Sequence, residues 1–318
     1  MAIKLRSMRR RHANGQSPRL DSRLEEALQF LQGPDFLPAE NQSARVEFDS
    51  DKSGLHFRFP TPRPCDCAEN NVVHGRLYRC AERWRERPVI VLLHGANGGG
   101  YQSRLPSIAR RCNRAGFNAA TLVGPGQLQR RPRQPGALSG PDYLRFAEAK
   151  AQAVAEIRAL TGWLLGEGCP TVALWGLSMG GWLAGMTACR DARLACAVLA
   201  APGVRLTLSF GEQIVWPRLR EAMLGQRAAY EALNLTPLNL TTAQPVIPRE
   251  NILLLEGIHD LFARSEPIEE LWQAWGRPDI WRLPCGHMSF PSGAGFTDRV
   301  LRWLAPRLDA PAVAADAR

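Results

Sequence analysis

The chain is poor in lysine. Of its 40 basic residues only Lys4, Lys52 and Lys150 are lysine, so nearly all positive charge is carried by arginine, whose planar fork suits bidentate contact with carboxylate or phosphate. It has no run of eighteen apolar residues, so no membrane-spanning helix is expected. Positive charges near the N-terminus have no apolar segment behind them, which is not the pattern of a secretory signal. The eight cysteines are scattered, and Cys189 and Cys196 sit inside apolar runs. That usage suits buried thiols in a reducing compartment rather than a disulfide framework. Cys65-Asp66-Cys67 is the one close pair, and without a second pair or nearby histidines it is not read as a zinc site. The expectation is a cytoplasmic protein with no metal and no cofactor.

What is present is enough for a large core. The 318 residues are 45% apolar and carry a formal net charge of +10, a size that suits one α/β domain with an insertion. The basic excess is partly local: Lys4, Arg6, Arg9, Arg10, Arg11 and Arg19 fall before residue 21 with no acid among them. Residues 1–20 are therefore read as a disordered basic arm, suited to peripheral contact with an anionic membrane. Nothing reads as a nucleic-acid-binding fold, so no nucleic acid is expected. Residues 21–309 are read as one domain and the Ala/Pro-rich residues 310–318 as a disordered tail.

The front of the domain has a short amphipathic helix over 21–32, then strand-like pieces at 44–48, 55–59 and 71–78, the last two alternating as half-buried antiparallel strands do. From residue 88 the rhythm changes. Continuous apolar runs at 88–93, 117–123, 171–175, 194–200, 251–256 and 280–283 alternate with helical patterns at 106–115, 142–166, 182–188 and about 295–308. Such alternation predicts a mostly parallel, doubly wound α/β sheet, here with an antiparallel N-terminal edge. Residues 204–248 interrupt it and are read as a cap, with Leu206, Leu208, Phe210, Ile214, Val215, Trp216 and Leu219 offered to a substrate pocket.

The stretch 174–181 organises the rest. An apolar run ends in Gly176-Leu177-Ser178-Met179-Gly180-Gly181 and continues into a helical pattern of small residues. G-x-S-x-G between strand and helix is a nucleophile-elbow pattern: the serine occupies strained backbone at the carboxyl end of the sheet, and side chains on the flanking glycines would clash. Two later strands end in Gly257-Ile258-His259-Asp260 and Pro284-Cys285-Gly286-His287. Serine, acid and histidine thus follow in the order Ser178, Asp260, His287, each just past a strand's carboxyl end, where open α/β sheets place their sites. A serine hydroxyl needs a base, imidazole serves near neutral pH, and a carboxylate holds the imidazole tautomer. An oxyanion would need fixed donors. The Met179 N–H is one candidate. The glycine-rich turn His94-Gly95-Ala96-Asn97-Gly98-Gly99-Gly100 supplies the other, with Ala96 the first choice and Asn97 the second.

At this point the chain resembles the α/β-hydrolase superfamily over roughly residues 70–308, on the His94-Gly95 turn, the elbow, the late Asp260 and the late His287. More narrowly it resembles the α/β-hydrolase domain-containing protein 18 type, on the extended front segment, the glycine-rich turn and the Arg/Pro loop from Gly126 to Arg133. The resemblance implies a serine hydrolase acting on an ester or thioester, with small-molecule or lipid esters as substrates. Peptidase or acyltransferase activity, and a non-catalytic binding protein of the same fold, are the other readings. His94 and Gly95 are candidates to line the pocket, as are Arg130 and Arg131, which either belong to a solvated loop or clamp an anionic substrate group.

Overall fold

The computed structural model describes residues 22–37, 43–51, 54–132, 143–206 and 236–308. One sheet contains β1 (Glu47–Asp51), β2 (Gly54–Pro60), β3 (Val72–Tyr78), β4 (Val89–Leu93), β5 (Asn118–Leu122), β6 (Val172–Leu177), β7 (Cys196–Ala200), β8 (Ile252–Gly257) and β9 (Asp279–Leu283). Their spatial order is β1-β2-β3-β5-β4-β6-β7-β8-β9. Pairings from β1 through β3 to β5 are antiparallel; from β5 across to β9 every pairing is parallel. The helices are α1 (Ser22–Gln32), α2 (Arg104–Arg114), α3 (Tyr143–Gly166), α4 (Met179–Ala188), α5 (Ser265–Ala274) and α6 (Ala294–Leu308).

Burial explains the two kinds of strand. Every residue of β4, β5, β7 and β8 is buried, because parallel strands covered on both faces need apolar side chains throughout. β3 instead alternates buried and partly exposed positions, as an antiparallel strand near an edge does. On α2 the buried Leu105, Ile108, Ala109 and Cys112 recur at helical spacing. All ten residues of α4 are buried. Its small residues let the helix backbone lie close against the sheet. The thiols of Cys112, Cys169, Cys189 and Cys196 are buried and unpaired; burial pushes each up to about 12.

Two expectations shift. The first strand begins at Glu47 rather than at residue 44. Helix α5 was not expected, since only Ile268 and Leu271 on it are buried and a proline stands in its first turn, where proline is tolerated. The cap expected at 204–248 falls largely on 207–235, which lie outside the described residues together with Trp216, Arg133, the arm at 1–20 and the tail. Its described flanks face inward: Val204, Leu206, Leu238 and Leu240 are buried, and the Trp182 indole N–H donates to the Leu238 carbonyl at 2.8 Å.

A buried ion pair joins the front of the chain to the sheet. Arg130 and Glu156 on α3 have fully buried side chains and meet through two parallel hydrogen bonds of 2.7 and 2.6 Å. The same guanidinium donates to the carbonyls of Val123 and Asn70, and the Thr61 hydroxyl donates to Glu156 at 2.7 Å. The turn after β5 is thereby fixed to the turn before β3. Glu156→Gln leaves a buried cation without its charge partner, so a loss of about 3–5 kcal/mol of unfolding free energy is expected in urea denaturation. A change of only about 0.5 kcal/mol, the scale of an ordinary surface substitution, would contradict this role for the pair.

Candidate active site

The site forms where β4 and β6 end side by side. Leu93 pairs with Gly176 in the parallel register, so the turn after β4 and the turn after β6 open at the same edge. Ser178 lies between β6 and α4 with φ 57° and ψ −114°. A non-glycine residue held in such backbone costs about 1–3 kcal/mol. The neighbours impose it. A Cβ on Gly176 would lie 1.9 Å from the Gly180 carbonyl oxygen, and a Cβ on Gly180 would lie 2.3 Å from the Leu93 carbonyl oxygen. Both glycines are therefore required by contact. The Ser178 N–H donates to the Ala200 carbonyl at 2.8 Å, which fixes the elbow to β7.

Asp260 and His287 come to this serine from the ends of β8 and β9. His287 Nδ1 lies 2.7 Å from Asp260 Oδ2 and its Nε2 lies 3.0 Å from Ser178 Oγ. With the Nδ1 proton directed to the carboxylate, Nε2 is left to accept from the serine hydroxyl. The Asp260 side chain is fully buried, and its Oδ1 accepts the backbone N–H groups of Phe262 and Ala263, each at 2.8 Å. Those two donors hold the carboxylate in place after a tight turn in which the Asp260 N–H donates to the Gly257 carbonyl. Glu256, the nearby acid on β8, instead meets Arg282 and Glu269; burial raises its carboxyl above the usual range.

The backbone groups offered as candidate donors lie beside the serine. Met179 is the first residue of α4, so its N–H has no partner within the helix. Ala96 opens a short 3-10 turn that runs to Gly98, with Asn97 inside it. A Cβ on Gly95 would lie 3.7 Å from the Ser178 Cβ, so this turn passes beside the serine. His94 is buried, holds the turn and lines a small cavity beside Met179: the Gly124 N–H donates to its Nε2 at 3.0 Å and its Nδ1 lies 2.7 Å from the Gly95 carbonyl. With Nε2 accepting, Nδ1 carries the proton and donates. Burial lowers the His94 pKa, in keeping with a neutral ring.

Arg130 corrects the sequence reading. It is neither a solvated loop residue nor a substrate clamp, because its guanidinium is consumed by Glu156 and two carbonyls deep in the domain. Arg131 is exposed and is not brought to the serine by any contact among the described residues. Sequence reasoning missed the apolar side chains around the acid and histidine turns. Ile258, Leu261, Phe262 and Met288 are exposed, and the Phe262 ring lies 5.3 Å from the His287 ring, centre to centre. The one available signal was their position next to Asp260 and His287.

The strain at the elbow is testable. Glycine adopts positive φ without a Cβ penalty, so Ser178→Gly should be more stable than Ser178→Ala by about 1 kcal/mol or more in denaturant unfolding. Equal stability would mean that the serine backbone is relaxed.

No family model matches the chain. It is 30% identical over 257 residues to an uncharacterized protein of Mycobacterium tuberculosis, a match covering 77% of this chain and 60% of that protein; the chain thus spans less than two thirds of that relative's length. Among solved structures it is similar to acetyl xylan esterase 1 from a Thermoanaerobacterium species, with TM-score 0.59, 15% identity, and 91% and 93% of the two chains covered. It is also similar to an acetyl xylan esterase from a Paenibacillus species, with TM-score 0.56, 15% identity, and 92% and 95% covered. A Pyrococcus furiosus esterase gives TM-score 0.55 at 15% identity, with 83% and 93% covered. Sheet order, elbow and these likenesses agree: the chain has the α/β-hydrolase fold.

Proposed function

We propose that this protein is a serine hydrolase that cleaves a carboxylic ester or thioester through an acyl-enzyme on Ser178. The observation that carries this reading is the continuous chain of contacts from Asp260 through His287 to Ser178, at 2.7 and 3.0 Å, on a serine held in strained backbone. That three solved structures of similar fold are named as esterases also supports it.

In this reading His287 Nε2 takes the Ser178 proton as Oγ attacks the ester carbonyl carbon. The Met179 and Ala96 N–H groups receive the oxygen that becomes negative, with Asn97 the second candidate donor. His287 returns the proton to the departing alcohol or thiol, and water then repeats the sequence on the acyl-enzyme. Asp260 keeps the Nδ1 proton facing it and stabilises the imidazolium. The exposed Leu261, Phe262 and Met288 beside the histidine favour a substrate with an apolar group.

Hydrolysis of p-nitrophenyl acetate, butyrate and octanoate tests the reading. Ser178→Ala, His287→Ala and Asp260→Asn should each lower kcat by about 10^4-fold or more without additivity in the double variants. Turnover by Ser178→Ala at the wild-type rate would defeat the assignment of the nucleophile, and by Asp260→Asn that of the acid.

A further inference from the structure

The one lysine among the described residues has no hydrogen-bond acceptor and no ion-pair partner among them. Lys150 is the eighth residue of α3 and contributes to the wall of a small cavity whose volume is about 20 Å³, room for about one water. The same cavity is lined by Met179, Leu183, Leu93, His94 and Gly124. Met179 carries one proposed oxyanion donor, and His94 holds the turn that carries the other. Among the described residues Lys150 has neither a hydrogen bond nor an ion pair. Its ammonium instead lies 4.6 Å from the centre of the Phe146 ring, one turn away on the same helix, a contact that favours the charged form. The cavity is too small for a substrate chain, so Lys150 is not placed to grip one.

We propose that Lys150 is a positioning residue whose unpaired positive charge, behind the Met179 N–H and the His94–Ala96 turn, stabilises the negative oxygen of the tetrahedral intermediate. The inference rests on the hydrolase reading above. Its physical ground is that charges interact more strongly through an apolar wall than through water, and that a fixed field aimed at developing charge needs no reorganisation during the reaction. Burial, and to a lesser degree the Lys150 charge, lower the pKa of His94 on that turn. Of the residues lining the cavity on β4, the turn after β5, α3 and α4, only His94 and Lys150 titrate near neutral pH, and His94 is kept neutral by burial and by the Gly124 N–H that its Nε2 accepts.

The Lys150 residue is half-buried, and desolvation lowers its ammonium to about 8. The charge is therefore present below that pH and is lost as pH rises through it. Stability moves the other way. A lysine whose folded pKa lies below its unfolded value of about 10.4 costs stability while protonated, and the cost is relieved as pH rises from there towards 10.4.

The test compares wild type with Lys150→Met and Lys150→Arg on a soluble p-nitrophenyl ester between about pH 6 and 10, with melting temperature read at each pH. Lys150→Met should lower kcat about tenfold at pH 7 with KM within about twofold, lose the alkaline fall near pH 8, and melt at or above the wild-type temperature. Lys150→Arg keeps its charge throughout, so it should retain turnover and hold its plateau to higher pH. Wild-type kcat and an unchanged alkaline limb in Lys150→Met would overturn the inference while leaving the hydrolase reading intact. So would loss of turnover with lowered melting and no rescue by arginine, which marks a packing role. Should Lys150→Met fail to fold, the arginine variant alone decides, and an unshifted alkaline limb overturns the inference. Absence of ester turnover in wild type would overturn the hydrolase reading and this inference together.

Discussion

The contact on which the site depends is between two backbones. Helix α4 approaches the end of β4 so closely that a single methylene on Gly180 would meet the Leu93 carbonyl oxygen at 2.3 Å. Because β4 and β6 are hydrogen-bonded neighbours in parallel register, that approach forces the chain to reverse over very few residues. Ser178 absorbs the reversal in its positive φ. Its hydroxyl is thereby raised at the sheet edge, its successor's N–H becomes the free first donor of a helix, and the turn after β4 is drawn alongside. The proposed nucleophile and the proposed donors are placed by one packing distance.

The remaining parts of the site are braced against this contact. The Gly124 N–H holds His94, which holds the Gly95 carbonyl, and Gln127 accepts the Gly98 N–H. The turn after β5 that supplies Gly124 and Gln127 is in turn fixed by the Arg130–Glu156 pair. A buried ion pair therefore helps to set the position of the turn that carries a proposed backbone donor. On the other side, Asp260 is locked by two backbone N–H groups, so the imidazole it orients has little freedom to turn away from Ser178.

Much of this was legible in the sequence, for reasons that are local. The elbow is a pattern of glycines forced by contact over five residues, and β4, β6, β7 and β8 read as continuous apolar runs because both faces are covered. Asp260 and His287 stood out because each follows a strand end. What was not legible depends on distant partners. Arg130 sits in a run of arginines and prolines that resembles a solvated loop, and only Glu156, 26 residues away on α3, makes it a core residue. Lys150 occupies a helical pattern in which a lone lysine is ordinarily a surface position; its setting is created by β4 and α4 arriving beside it. Helix α5 offered only two buried apolar positions, too weak a period to separate from a loop. Most of the expected cap, with Trp216, falls outside the described residues.

The central claim is that Ser178 is a nucleophile activated by His287. Reaction with a fluorophosphonate, followed by intact mass and peptide mapping, measures it without knowledge of the natural substrate. The account predicts one adduct per chain, mapped to Ser178, forming quickly in wild type and lost in both Ser178→Ala and His287→Ala. Folded wild-type protein that stays unlabelled, or an adduct that maps to another serine, would contradict it.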